Sequence, residues 1–309
     1  MKIHTSKEVI KINNFITVLT PTYNRKEKLA RLYKSLKSQT CKDFVWMIID
    51  DGSSDDTKEY IHELEKTNTD LSIEYYYKKN GGKHTALNYG IERTNTELVF
   101  IVDSDDYLVD DAIETVKREW FSHEKSEDIC GICFLKGYDK ESCVGERFND
   151  LTDQSYITMR LKKGIKGDKS EIFKTSLLKQ KKFPEIEGEK FIGEDYVWCD
   201  LGKNYNMIWR NDIIYICEYL SDGLSQAGRA MRIKCPCGGM LNSGMMLTQE
   251  FPMKFRIKKG ILYNCYYFFA DKQSRKKYGI KSSKAIRMIT FLPGFLLYKY
   301  WKRKYMEDN

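Results

Sequence analysis

With 309 residues, 41% of them apolar and 31% charged, the chain is long enough to bury a sizeable core and too apolar for wholesale disorder. Its net charge of +8 is unevenly spread: from Pro252 to Asn309 there are 15 Lys and Arg against 3 Asp and Glu, so this segment carries +12 and the rest of the chain −4. An acidic body with a basic tail places any contact with an anionic surface in the tail.

The nine cysteines are scattered and odd in number, and no secretory leader is evident, so reduced thiols in a cytosolic compartment are expected. Cys130-Gly-Ile-Cys133 and Cys235-Pro-Cys237 leave a structural zinc site open, although the first pair lies in a strand-like run where small buried thiols are common. No apolar stretch reaches the roughly 18 residues of a membrane span.

In chain order, residues 15–20 form a short β-rich run stopped by Pro21, and Leu29, Leu32, Tyr33 and Leu36 set a helical spacing over 25–39. A second strand, 44–49, ends in Asp50-Asp51-Gly52-Ser53-Ser54. A helix over 57–64 and a third strand over 71–77 follow, and Gly81-Gly82 precedes a helix through Ala86, Leu87 and Ile91. The fourth strand, 98–102, runs into Asp103-Ser104-Asp105-Asp106, and a helix covers 112–121. Strands that are apolar throughout and alternate with helices predict a parallel sheet covered on both faces.

Beyond residue 128 the pattern loosens. Strand 130–135, an irregular stretch over 138–163, a strand-like 170–173 with a short helix ending near 182, a helix starting in 191–198, and strands 207–209 and 213–219 are expected. Residues 224–246 give no fold signal, and 255–271 and 283–305 read as basic, aromatic helices.

The polar clusters 20–25, 50–54, 80–83 and 103–106 all fall at strand ends or helix starts, the edge where open α/β sheets bind ligands. Three carboxylates within four residues after a buried strand call for a cationic partner, and oxygen-liganded divalent metal is the usual one. A solvated acidic turn is the simpler alternative. Asp51 is placed to accept a hydrogen bond from a nucleobase imide, with Thr20 and Tyr23 to contact or stack on the base, unless 50–53 only caps a helix. Asn80-Gly81-Gly82-Lys83 offers a cation and flexible backbone at a helix N-terminus, although its spacing is not that of a Walker loop. Glu194-Asp195 either complements a helix dipole or deprotonates an incoming hydroxyl.

Taken in order, Thr20-Pro21-Thr22-Tyr23-Asn24, Asp50-Asp51-Gly52-Ser53-Ser54-Asp55, Asn80-Gly81-Gly82, Asp103-Ser104-Asp105-Asp106 and Glu194-Asp195 resemble the family 2 glycosyltransferases. The resemblance covers residues 15 to about 220. It implies an α/β, GT-A (Rossmann-like) fold: a mostly parallel sheet flanked by helices, here with a basic, aromatic helical C-terminal extension. A catalytic unit over 1–225 would hold a nucleotide-sugar half (12–125) and an acceptor half (126–225), leaving 226–309 as the tail. Asp51 would bind the uracil or ribose of a UDP-sugar. Asp103 and Asp105 would serve ribose and a divalent metal, Mn²⁺ or Mg²⁺, with Asp105 the metal ligand. Thr20, Pro21, Tyr23, Lys83 and Ser104 complete the nucleotide-sugar set. Asp195, with Glu194 beside it, would be the base of an inverting transfer. The Gln-x-x-Arg-Trp motif of processive synthases is missing, so one sugar per encounter is expected. Gly167 to Lys174, Phe183-Pro184 and Glu218 to Gly223 add a softer likeness to bacterial members that build capsular or exopolysaccharide units, with Asp168 and Glu171 on the acceptor side or simply surface charges.

Two other functions compete. A nucleotidyltransferase would carry a glycine-rich loop after the first strand, where Thr20-Pro21-Thr22-Tyr23-Asn24 stands. A catalytically silent member of the fold would act as an assembly partner. The tail, with Tyr300, Trp301 and Tyr305 among Lys299, Lys302, Arg303 and Lys304, suits an anionic bilayer interface and a lipid-linked acceptor, giving a cytoplasmic enzyme peripheral at the inner face of the membrane. Packing on the catalytic unit or in a homo-oligomer is the alternative. No nucleic-acid module is recognisable, and no nucleic-acid partner is expected.

Overall fold

The structure, a computed structural model, describes residues 15–123, 127–218 and 224–307. Its apolar runs become strands that are buried at every position, β1 (Ile16–Thr22) and β2 (Phe44–Asp50). Between them α1 (Lys26–Lys37) turns Leu29, Leu32 and Leu36 inward. The alternation continues through α2 (Thr57–Thr67), β3 (Ser72–Tyr77), α3 (Lys83–Arg93), β4 (Leu98–Ile101), the short β5 (Tyr107–Leu108) and α4 (Ala112–Ser122). The second half supplies β6 (Ile129–Gly137), a π-helical turn Thr158–Lys162, β7 (Lys169–Lys174), α5 (Thr175–Lys179), α6 (Asp195–Leu201) and β8 (Asn206–Ile216).

These strands form one mixed sheet in the order β3-β2-β1-β4-β7-β6-β8-β5. β1 pairs in parallel with β2 and β4, and β2 with β3, while β7 runs antiparallel between β4 and β6. Alternate residues of each strand serve opposite faces. Ile16, Val18, Trp46 and Ile48 join one core, and Leu19, Met47 and Ile49 the other.

The two strands expected over 207–219 are one strand. Register shifts against β6 accommodate the polar Arg210-Asn211-Asp212 stretch, whose side chains are satisfied off the ladder: Arg210 donates to Glu119, and Asn211 exchanges hydrogen bonds with the Phe148 backbone. Of 218–223, only Glu218 lies within the described residues.

The segment without a fold signal becomes helical as α7 (Leu224–Lys234) and α8 (Pro236–Met245), followed by α9 (Met253–Phe269), α10 (Lys272–Tyr278), α11 (Lys284–Ile289) and α12 (Phe291–Lys302). Pro236 and Pro293 each sit in a first turn, where a missing N–H costs no helical bond. These helices extend the core that contains Leu19 and Met47, through Met240, Tyr263, Tyr266 and Trp301. Trp301, expected at headgroup depth, is instead buried, with its ring 5.9 Å from that of Tyr266 and the Arg229 guanidinium over it. Packing on the protein wins because α12 presents Trp301 on the same side as Gly294, which lies against Asn264 of α9.

Candidate active site

The loops after β1 and β2 are tied together at the carboxyl edge of the sheet. Asn24 donates its amide to Ser53 Oγ and accepts from the Ser54 amide, and the Asp51 amide donates to the Thr22 carbonyl. Asp50 is fully buried and structural, accepting from the Ser53 amide and from the Tyr75 hydroxyl. Tyr23 stays exposed beside this junction, whereas Pro21 and Ser104 are buried. Thr20 departs from its expected role: its side chain is in the core, where Oγ1 accepts from Trp46 Nε1 at 3.0 Å, and offers nothing to a base.

Asp51 is 4% exposed and takes three donors: Lys78 Nζ at 2.6 Å and the amides of Gly81 and Gly82 at 2.9 and 2.7 Å. It therefore pins the glycine loop to the end of β2. Among the described residues no three His, Cys, Asp or Glu side chains group to hold a metal ion.

The acidic turn after β4 sorts its own carboxylates. Asp106 accepts from the Tyr215 hydroxyl of β8 at 2.6 Å and from the Glu218 amide at 3.0 Å, while Tyr215 also receives the Asp103 amide. Asp106 thus anchors the turn to β8. Burial pushes its carboxyl up to about 6, and the Asp103 charge adds to the rise. Asp105 is raised for the same two reasons, burial and then Asp103. The raised Asp105 carboxyl beside the Asp103 charge is what a hard divalent cation would relieve, so Asp105, with Asp103 next to it, fits such an ion by the chemistry of its oxygen donors.

Lys83, at the start of α3, joins the two halves of the site. Its Nζ lies 2.5 Å from Asp103 Oδ1 and 3.2 Å from Glu194 Oε1. Burial alone would lower its pKa, but these two carboxylates hold the ammonium well above its ordinary range. Asp103 is depressed in turn: burial opposes, and Lys83 and then Lys136 override it. Lys83 and Asp103 remain 23% and 31% exposed, so the pair can be reached from solvent. Just before it, Gly82 has φ +92°, and a Cβ there would sit 2.0 Å from the Lys190 carbonyl oxygen. The glycine loop and the strand of chain entering α6 touch backbone to backbone.

Asp195 opens α6, with its side chain 41% exposed. It accepts from Asn242 Nδ2 of α8 at 2.7 Å and from Lys259 Nζ of α9 at 3.3 Å. Gly193 makes room for this contact, since a Cβ there would meet Asp195 Oδ1 at 2.5 Å. Glu189 holds α8 in place, its carboxylate accepting from the amides of Cys237 and Gly238 at 2.8 and 2.7 Å. A cavity of about 140 Å³ beside Asp195 is lined by Asn242, Lys259, Arg232 and Tyr266, and Asn242 Oδ1 is buried with no hydrogen-bond partner.

Residues 17–179 match the model of the family described as Glycosyl transferase family 2, which is more than half of the chain. The chain belongs to that family. Over 195 residues the family 2 chain is 31% identical to the GalNAc(5)-diNAcBac-PP-undecaprenol beta-1,3-glucosyltransferase of Campylobacter jejuni, covering 61% of this chain and 60% of that protein. It is 32% identical over 116 residues to the poly(ribitol-phosphate) beta-N-acetylglucosaminyltransferase TarP of Staphylococcus aureus, 37% of this chain and 35% of that one. The matched region thus spans three fifths or less of these curated relatives. Among solved structures, S. aureus TarS 1-349 in complex with UDP-GlcNAc superposes with TM-score 0.61 at 17% identity, covering 91% of this chain and 81% of that one. Mannosyltransferase PcManGT of Pyrobaculum calidifontis, solved with GDP-Man and Mn²⁺, gives 0.57 at 16% identity, with 94% and 87% covered. The fold is GT-A.

The structure of this family 2 chain thus brings Lys83, Asp103 and Glu194 together, sets Asp195 against the C-terminal helices, and turns Thr20 and Asp51 to structural partners. Asn242, Lys259, Lys78 and Tyr215 escaped the sequence reading. For α8 the only signal was Pro236, a helix-start residue followed by glycines that mask the helix.

Proposed function

We propose that the protein transfers one sugar per encounter, with inversion, from a UDP-sugar to a hydroxyl of a glycan or lipid-linked acceptor in cell-surface polysaccharide synthesis. The observation that carries this reading is the Lys83 bridge, which links the acidic turn after β4 to Glu194, next to Asp195. The relatives' names support the same class of acceptor, and the TarS complex with UDP-GlcNAc supports the class of donor.

In this reading Tyr23 stacks on the base, with Pro21, Asp51 and Ser104 shaping its surroundings, and Lys83 meets the diphosphate. Asp103 and Asp105 would hold Mn²⁺ or Mg²⁺, which when bound supplies positive charge to the donor's phosphates. Asp195 takes the proton of the acceptor hydroxyl as its oxygen bonds to the anomeric carbon and the bond to the nucleotide diphosphate breaks. Asn242 fixes the direction of the carboxylate. The enzyme would be cytoplasmic and peripheral at the inner face of the membrane.

A thermal-shift panel of UDP-, GDP- and dTDP-sugars with and without Mn²⁺ tests the proposal, since stabilisation follows RT ln(1 + [L]/Kd). A shift with UDP-sugars that needs metal is expected. No shift with any donor would overturn it.

A further inference from the structure

We propose that the α11–α12 corner is a lipid-docking face that seats on an anionic bilayer, with the groove beside it receiving a phospholipid headgroup. Met288 and Ile289 are 76% and 73% exposed, and Leu292, Leu296 and Tyr300 continue the apolar stripe at fourfold spacing along one side of α12. The opposite side is spent on the protein, through Gly294 against α9 and Trp301 against Tyr266. Large apolar side chains this contiguous are rare on a surface that meets only water.

The border of the stripe is cationic. Lys281, Lys284 and Arg287 line a groove of about 850 Å³ together with Tyr267, Met288 and Phe291. Arg287 Nη1 donates to the Ile280 carbonyl, but its Nε is buried without a partner. A phosphate oxygen satisfies such a donor and neutralises the lysines, while the apolar stripe enters the acyl boundary. A second copy of the chain would bring its own cations against these, which disfavours it as the occupant. Among the described residues no helix is long and apolar enough to cross a membrane, so the corner would lie on the bilayer.

This inference rests on the peripheral-membrane part of the proposed function and is independent of its donor chemistry. The test is co-sedimentation of the full chain with vesicles of phosphatidylcholine alone or with added phosphatidylglycerol. Wild type is expected to bind the anionic vesicles. Ile289→Glu with Leu292→Glu should weaken that binding at least about tenfold, and Lys281→Glu with Lys284→Glu should abolish the preference for phosphatidylglycerol. These positions are exposed, and unchanged thermal melts would show that both variants fold. Equal vesicle binding by wild type and variants, no vesicle binding at all, or a dimer in sedimentation velocity that the Ile289/Leu292 variant loses would each overturn the proposal. UDP thermal shifts without vesicles report separately on the donor reading, which stands or falls without the lipid face.

Discussion

Asn242 of α8 donates a hydrogen bond from Nδ2 to Asp195 Oδ1 at 2.7 Å, so a residue of the C-terminal helices orients the proposed base. Asp195→Asn should cut transfer by about 100- to 10,000-fold with UDP-sugar binding retained. Asn242→Ala should lower kcat by a smaller factor, about tenfold, with little change in the KM for donor. Steady-state kinetics alongside donor thermal shifts separate the two, and full activity in Asp195→Asn would remove Asp195 from its role.

Lys83 neutralises Asp103 and Glu194 at once. Replacing it by Met leaves both carboxylates without their shared cation and, in the proposed function, the diphosphate without its own. Donor affinity should fall by about 1.5–3 kcal/mol, roughly 10- to 150-fold, read as the KM for UDP-sugar or by calorimetric titration. An unchanged KM would place the diphosphate elsewhere.

Glu171 of β7 is pushed up to about 7, chiefly by burial. Arg160 and Lys136 oppose the rise and Glu194 adds to it, and Tyr156, Lys169 and Cys133 also feel its charge. A carboxyl raised above its ordinary value near 4.5 binds more protons folded than unfolded, so the contribution of Glu171 to stability is fully present below about 4.5 and is lost as pH rises through that window to about 7. Glu171→Gln cannot ionise. It should lose this slope and exceed wild type at pH 8 by on the order of 1–3 kcal/mol in urea unfolding. A stability difference between wild type and Glu171→Gln that is the same at pH 5 and pH 8 would contradict the assignment.

Gly82→Ala combines a left-handed backbone with a collision against the Lys190 carbonyl. A loss of about 2 kcal/mol or more is expected, measured by urea denaturation. A neutral result would mean that the two loops separate at little cost.

The first half of the sheet was legible because β1, β2 and β4 are apolar runs separated by helices with regular apolar spacing, a pattern that local sequence dictates. The acidic turn, Lys83 and the Glu194-Asp195 pair were legible as polar clusters at strand and helix ends. Thr20 misled because facing is set by register: on β1 its hydroxyl points at Trp46 of the neighbouring strand. Lys78 escaped notice because it comes within reach of Asp51 only once β3 is paired beside β2. Asn242 and Lys259 lie 47 and 64 residues beyond Asp195, on helices whose docking depends on Glu189 and on tertiary packing, so no local pattern announces them.

The backbone contact between Gly82 and Lys190 has a consequence for redesign. The segment proposed to grip the nucleotide end and the one proposed to deliver the base are leaned against each other, with the Gly82 backbone directly on that of Lys190. Swapping residues around Asn80 to admit a different donor would shift the base as well, and a variant with new donor preference should come with altered acceptor choice.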